Sequence, residues 1–275
     1  MFEIKIIDSG YIMADGGAMF GAIPKRAWQR RYPVDEENLC PLVMRCVLAV
    51  SEDRKILIDT GLGNKHTDKI SYYRPHKLID IEEALASLGY SLEDITDVIL
   101  THLHFDHCGY ATRINSVGNV TPSFPNAKYW LSQKQWANLQ HPNRLEEDSI
   151  FADNIIPVHK AGQLELVHND KQLYEGFNIR LFDGHSTGQI VAYIHTEEGI
   201  QTFPGDLIPT AAHVPLEWIS AYDICALDSV KEKEHFLSEA EQNGYILIYC
   251  HDAINIRSKV KKLNNNFRMS VYDQK

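Results

Sequence analysis

Within six positions the chain carries His102-Leu-His104-Phe-Asp106-His107, three imidazoles and a carboxylate at short spacing. Borderline divalent metals such as zinc accept both ligand types readily. In an extended strand end, His102, His104 and Asp106 point to one side, because side chains alternate with a period of two. His107 falls on the other parity, so the chain is expected to turn there for all four to converge. Metal-assisted hydrolysis is the chemistry such a set serves.

The remaining ligands are sought at the ends of other apolar runs. His185 lies in Asp183-Gly-His-Ser-Thr-Gly-Gln189 after Phe177 to Phe182, Asp206 in Pro204-Gly-Asp206 after Gln201 to Phe203, and His251 directly after Tyr245 to Cys250. Each is a polar ligand type where a loop can turn it toward a cleft. Seven ligands exceed what one zinc holds and suit two, with one carboxylate bridging. Asp59, in Ile56-Leu-Ile-Asp-Thr-Gly-Leu-Gly63, is placed to accept the outer ring N–H of a ligand histidine and fix its tautomer. Its bland alternative is to cap the turn that follows.

These residues need strands that deliver them to one place. Strand-like runs cover Phe2 to Ile7, Leu42 to Val50, Lys55 to Ile58, Asp97 to Leu100 and Lys128 to Leu131, then Phe177 to Phe182, Ile190 to His195, Gln201 to Phe203 and Tyr245 to Cys250. Helices are expected over Ile79 to Leu88, over Ser132 to Leu139 with Ser132 as N-cap, and over Asp228 to Gln242, ended by Asn243-Gly244. Glu197-Glu-Gly199 reads as a hairpin turn, and Gly109 as a bend after the His-rich cluster. Residues 15–41 are irregular, and residues 144–171, of weak periodicity and mixed polarity, read as loop with a little helix that could flank the site. In the first, Met19, Phe20 and Trp28 either cover a pocket mouth or pack as core under a long loop. Grouped strands with helices between the groups suit an α/β chain of two packed sheets with helices outside, a four-layer arrangement. Several strand pairs are joined too tightly for a single doubly wound parallel sheet.

A length of 275 residues with 44% hydrophobic content allows one catalytic domain spanning 1–275. The net charge of −10 gives no general electrostatic reason to bind nucleic acid or an anionic membrane. The basic stretches Lys25 to Arg31 and Arg257 to Lys262 read as solvated faces. Cys40, Cys46, Cys108, Cys225 and Cys250 form no Cys-x-x-Cys pair and are odd in number, which favours a reducing compartment. No signal-peptide pattern follows Met1, and no run approaches the roughly eighteen apolar residues of a membrane span. A cytoplasmic protein acting on a small molecule is expected, with no nucleic acid or membrane partner, and a homodimer is compatible with the sequence.

Taken in order, Asp59, His102-x-His104-x-Asp106-His107, His185, Asp206 and His251 resemble the motif set of the metallo-β-lactamase superfamily. The resemblance implies a four-layer αβ/βα sandwich of two mixed sheets. It also implies a dinuclear site, most simply zinc, with His102, His104 and His185 on one ion, Asp106, His107 and His251 on the other, and Asp206 bridging. The leader with Asp15-Gly-Gly-Ala-Met-Phe-Gly21, together with Gly205-Asp-Leu-Ile-Pro-Thr210, is similar to the branch holding N-acyl-homoserine lactonases, pyridoxolactonase and methyl parathion hydrolase. Around His185 the chain departs from that family's Gly-His-Thr-Pro-Gly-His form at Ser186, Thr187 and Gln189, and the ligand itself stays in place.

The activity implied is hydrolysis of a small ester or lactone by metal-bound hydroxide, with Asp106 delivering a proton to the leaving oxygen. A phosphotriesterase and a glyoxalase II-like thioesterase are nearby alternatives. A mononuclear iron persulfide dioxygenase, using His102, His185 and Asp206, is a more distant one, and a metal-stabilised scaffold is the non-enzymatic one. Cys108 reads as an inert packed thiol. His213 and Trp218 read first as packing and second as substrate contacts.

Overall fold

The computed structural model describes residues 1–272. Its chain gathers into two compact units, each built from two separate stretches: Met1–Ile12 with Met44–Asp170, and Met13–Val43 with the chain from Lys171 onward.

The first unit is organised on a mixed sheet. Its strands are β1 (Glu3–Asp15), β2 (Leu39–Val50), β3 (Lys55–Ile58) and β4 (Asp97–Ile99), then, past a small hairpin of β5 (Thr112–Ile114) and β6 (Val120–Pro122), β7 (Lys128–Ser132) and β8 (Leu164–Val167). The order is β1-β2-β3-β4-β7-β8, with β2 and β3 antiparallel and β3, β4, β7 and β8 parallel. Leu48, Leu57, Val98 and Tyr129 from this sheet share a buried core with Ile81 and Leu85 of the helix Ile81–Ser87, Trp136 of Gln133–Gln140 and Val158 of Ile156–Lys160. The helix starts are set by side chains that satisfy otherwise orphaned amides: Asp80 accepts from Glu82 N, and Ser132 accepts from Gln135 N at 3.1 Å.

The second unit carries a seven-stranded mixed sheet: β9 (Lys171–Tyr174), β10 (Phe177–Phe182), β11 (Gln189–Thr196), β12 (Gly199–Phe203), β13 (Ile246–Ile248), β14 (Arg257–Leu263) and β15 (Asn266–Ser270), in the order β15-β14-β13-β12-β11-β10-β9. Among the described strands of this sheet only β12 and β13 pair in parallel, and the helix Ala226–Asn243 supplies the crossover between them. That helix packs Phe236, Leu237 and Ala240 against Val191, Tyr193, Leu247, Val260 and Phe267 of the sheet. It stops at Gly244, whose left-handed backbone (φ 66°) lets its N–H close back on Ala240 O.

The α/β class with mixed sheets and helices is as the sequence implied. The main differences are residues the alternation rule passed over. β1 runs on from Ile7 to Asp15 because its polar members are satisfied by β2: Arg45 pairs with Asp8 at 2.7 Å, and the Ser9 hydroxyl donates to Met44 O at 2.8 Å. Arg257 to Lys262, expected as a solvated face, is strand β14, in which Ser258 and Val260 are buried between half-buried or exposed cations. The stretch 144–171 holds the little helix expected of it, Ile156–Lys160, and adds β8, while 15–41 opens with the short helix Gly16–Phe20 capped by Asp15. Among the described residues, no helix is long and apolar enough to cross a membrane.

Candidate metal centre

Parallel pairing fixes the first unit's share of the ligands. Ile58 of β3 lies opposite Ile99 of β4, so Asp59 and Thr101-His102 leave the sheet at the same edge. Asp59 takes a left-handed backbone, φ 58°, a conformation a non-glycine residue keeps only where its surroundings over-determine it. Its N–H donates to Ile99 O at 2.9 Å, Oδ1 accepts from Thr101 N at 2.8 Å, and Oδ2 accepts from His107 Nδ1 at 2.7 Å. A buried carboxylate, 1% exposed, thus ties the two strand ends to the histidine.

The turn in the His-rich cluster comes two residues earlier than parity predicted. His104 is the last extended residue, and Phe105–Cys108 form one helical turn. The physical reason is distant in sequence: Phe105 N donates to Ser149 O at 2.9 Å, and His104 bridges to Ile150. Asp106 and His107 then sit side by side, Oδ2 to Nε2 at 3.8 Å. Gly109, expected as a bend, has an ordinary helical φ of −61°. Its lack of a side chain serves close approach instead, since a Cβ there would lie 1.8 Å from Leu62 O. The contact is sealed by Gly109 N to Gly61 O and Thr60 N to His107 O, both 2.7 Å.

Register places the second unit's ligands. Phe182 faces Gln189 and Ala192 faces Phe203, which puts the 183–188 loop with His185 beside Pro204-Gly-Asp206; Gln189 Nε2 donates across to Pro204 O at 3.1 Å. β13 runs parallel to β12, so Cys250-His251 emerge at the same edge as Asp206. The Asp206 carboxylate divides: Oδ2 lies 3.4 Å from His185 Nε2, and Oδ1 lies 3.1 Å from His251 Nε2. Gly184 leaves room for the helix above it, its absent Cβ standing 2.5 Å from Ser229.

The outer nitrogens of all five histidines meet groups that accept. His107 Nδ1 is on Asp59, His185 Nδ1 on Asp223 at 2.9 Å, His104 Nε2 on Glu146 at 3.1 Å and His251 Nδ1 on the Val43 carbonyl at 2.9 Å. His102 Nδ1 lies 3.1 Å from the Thr101 hydroxyl, whose own proton goes to Asp59. Carboxylates and carbonyls only accept, so each outer nitrogen carries the proton and each inner nitrogen presents a lone pair. The inner pairs are then acceptor against acceptor: His102 Nε2 to His104 Nδ1 at 2.9 Å, and the two Asp206 contacts. Lone pairs at such distances repel unless a cation binds both, and the donor set, imidazole and carboxylate, is one that divalent metals take. The residues therefore fit the metal that their spacing implied.

Within the first unit His102, His104, Asp106 and His107 gather with Asp59, and within the second His185, Asp206 and His251 gather together. Sequence reasoning missed Glu146 and Asp223, which hold ligand histidines through contacts distant in sequence, and Thr101, which meets the neighbouring His102. It also missed Cys250, whose Sγ lies 3.1 Å from Asp206 Oδ1 and whose only signal was its place beside His251. Cys108 is buried, which pushes its thiol up to about 12, and it contacts the Leu103 carbonyl. Phe20 is stacked between Trp28 and His213, at 4.9 and 4.7 Å between ring centroids. His213 bonds Met19 O and the Thr210 hydroxyl, and burial pushes it down to about 4. The Arg31 guanidinium covers Trp218 at 4.4 Å.

Comparison with known proteins adds an independent line. The family profile described as the metallo-beta-lactamase superfamily matches residues 45–251. An N-acyl homoserine lactonase of Bacillus cereus is 24% identical over 172 residues, 58% of this chain and 62% of that protein, so the match spans less than two thirds of the lactonase. Transcription termination factor FttA of Methanocaldococcus jannaschii is 25% identical over 174 residues, 59% of this chain and 25% of its own length. Among solved structures, a "probable metal-dependent hydrolase" from Staphylococcus aureus superposes with a TM-score of 0.87 at 27% identity, covering 94% of this chain and 92% of that one. The dizinc quorum-quenching lactonase AidC, in complex with a product, superposes at 0.80 and 20% identity over 100% and 95%, a likeness of fold.

Proposed function

The chain belongs to the metallo-beta-lactamase superfamily, and from that premise we propose that it is a metal-dependent hydrolase of a small ester or lactone with a dinuclear, most simply dizinc, centre. The reading is carried by the inward lone pairs of the five histidines. Above all it rests on Asp206, which offers one oxygen toward His185 and the other toward His251, the disposition a bridging carboxylate needs. Following the ligand division that the family resemblance implies, we assign His102, His104 and His185 to one ion, Asp106, His107 and His251 to the other, and Asp206 to both. Residues 45–251, the span of the family match, include parts of both units.

Divalent ions held there would acidify a water toward neutrality and polarise the scissile carbonyl, which is why no serine or cysteine nucleophile is required. The protein's own part is positional. Asp59, Asp223 and Glu146 keep three imidazoles in the tautomer that faces inward, and Thr101 aligns a fourth through its hydroxyl. Asp106, at the start of a helical turn and only partly buried, is the group assigned to pass a proton from its carboxyl to the departing alkoxide oxygen. The partner is a small-molecule substrate, and the lactonase relatives favour lactones over phosphotriesters or thioesters.

The test is a panel of lactones, aryl esters, thioesters and phosphotriesters assayed on purified protein with its metals counted. About two zinc per chain and lactone or ester turnover are expected. A single iron with oxygen consumption points instead to a dioxygenase, and full metal loading without hydrolysis to a scaffold.

A further inference from the structure

The loop after the helix Gln133–Gln140 holds a carboxylate whose surroundings dictate which of its oxygens faces the ligand set. Glu146 is 2% exposed. Its Oε1 meets His104 Nε2 at 3.1 Å, while Oε2 accepts from Asn138 Nδ2 at 2.9 Å and from Asn143 Nδ2.

Neither asparagine is at liberty to turn its amide over. Asn138 Oδ1 accepts from the Asn143 backbone N–H at 3.3 Å, and Asn143 Oδ1 accepts from the N–H groups of Leu145 and Glu146 at 2.9 and 3.1 Å. A backbone N–H can only donate, so both side-chain oxygens point to the backbone and both NH2 groups point to Glu146. The position of Oε2 therefore demands an acceptor twice over. The same segment grips the backbone on either side of His104: Gln135 Oε1 accepts from Leu103 N at 3.0 Å, and Ser149 O accepts from Phe105 N at 2.9 Å.

We propose that Asn138, Asn143 and Glu146 form a tautomer lock, in which Glu146 is a positioning residue that compels His104 to carry its proton on Nε2 and so present Nδ1 to a metal. The inference rests on the metal-centre reading for its purpose, but the lock itself is a property of the metal-free chain. It makes an unusual demand: the near-isosteric replacement is the damaging one. In Glu146→Gln the two asparagine donors claim the single amide oxygen, which turns the new NH2 toward His104. Nε2 must then accept, the proton moves to Nδ1, and the inward lone pair is lost. Glu146→Ala removes the acceptor without supplying a donor, so Nε2–H is no longer enforced and both tautomers of His104 are populated, Nδ1–H being free to donate to His102 Nε2.

The experiment reads the His104 imidazole nitrogens directly, by nitrogen-15 NMR on metal-free wild type, Glu146→Gln and Glu146→Ala, alongside thermal unfolding and zinc affinity by chelator competition. Expected are an Nε2–H tautomer in wild type, a mixture of tautomers in Glu146→Ala, and an Nδ1–H tautomer in Glu146→Gln. The affinity loss for Glu146→Gln should be roughly 10–100-fold, as for other lost partners of metal-bound histidines, and should exceed that of Glu146→Ala even though Ala lowers the melting temperature more. An Nδ1–H tautomer in wild type, or an Nε2–H tautomer retained in Glu146→Gln, overturns the lock. If Glu146→Gln does not fold, the wild-type and Glu146→Ala spectra still decide, because the same undivided Nε2–H tautomer in both overturns the lock. If the protein binds no zinc, the metal-centre reading fails while the tautomer measurement stands on its own.

Discussion

Lys233 is buried in the helix Ala226–Asn243, 1% exposed, with its Nζ donating to the carbonyls of Pro215, Leu216 and Trp218 at 3.0, 3.3 and 2.8 Å. It anchors the loop that leads on to Asp223 and hence to His185. Burial pushes its amine from 10.5 down to about 7, against the opposing pull of Asp223 and Glu217. At about 1.4 kcal/mol per pKa unit, the fold disfavours the ammonium by roughly 5 kcal/mol relative to the unfolded chain. Between pH 7 and 10.5 the unfolded chain holds a proton that the folded protein lacks, so stability from this group rises with pH across that window and is flat outside it. The rise from pH 7 to pH 9 is about 2 kcal/mol. Lys233→Met keeps the volume and abolishes the titration. Urea unfolding of both proteins at the two pH values should therefore show the deficit of the variant growing by about 2 kcal/mol from pH 7 to pH 9. Other titrating groups cancel in this double difference. A deficit that stays constant refutes the argument: the three carbonyls, which ask for the three N–H donors only an ammonium has, would then outweigh burial and keep the amine charged.

Three further outcomes follow from the geometry. Asp223→Ala removes the acceptor on His185 Nδ1 and should weaken metal binding roughly 10–100-fold with little change in secondary structure, read by chelator competition and circular dichroism. Asp106→Asn should retain the fold and lower turnover by about 10²–10⁴-fold; equal kcat at equal metal content removes the proton role. Gly109→Ala drives a Cβ against the Leu62 carbonyl, and because that obstacle is backbone it should cost about 3 kcal/mol or more, seen as a lower Tm.

The ligand residues were legible in the sequence because metal chemistry restricts residue type and because strand ends announce themselves as the close of apolar runs. Asp59, His102, Asp206 and His251 all follow such runs, and parallel pairing of β3 with β4 and of β12 with β13 carries each pair to a common edge. Secondary structure was read best where a short apolar run was uninterrupted, as in β3, or apolar and polar residues alternated, as at the start of β10, and worst where a polar residue's partner lies on another strand, as with Asp8 and Arg45.

Spacing along the chain determined which atoms are available to bind a metal. It did not determine which nitrogen of each imidazole carries the proton, where the chain turns after His104, or why Gly109 has no side chain. Those were decided by Glu146, Asp223, Ser149 and Leu62, residues with no motif of their own. Hydrogen-bond direction and steric contact depend on what the fold brings within about 3 Å, and a linear pattern carries no record of that.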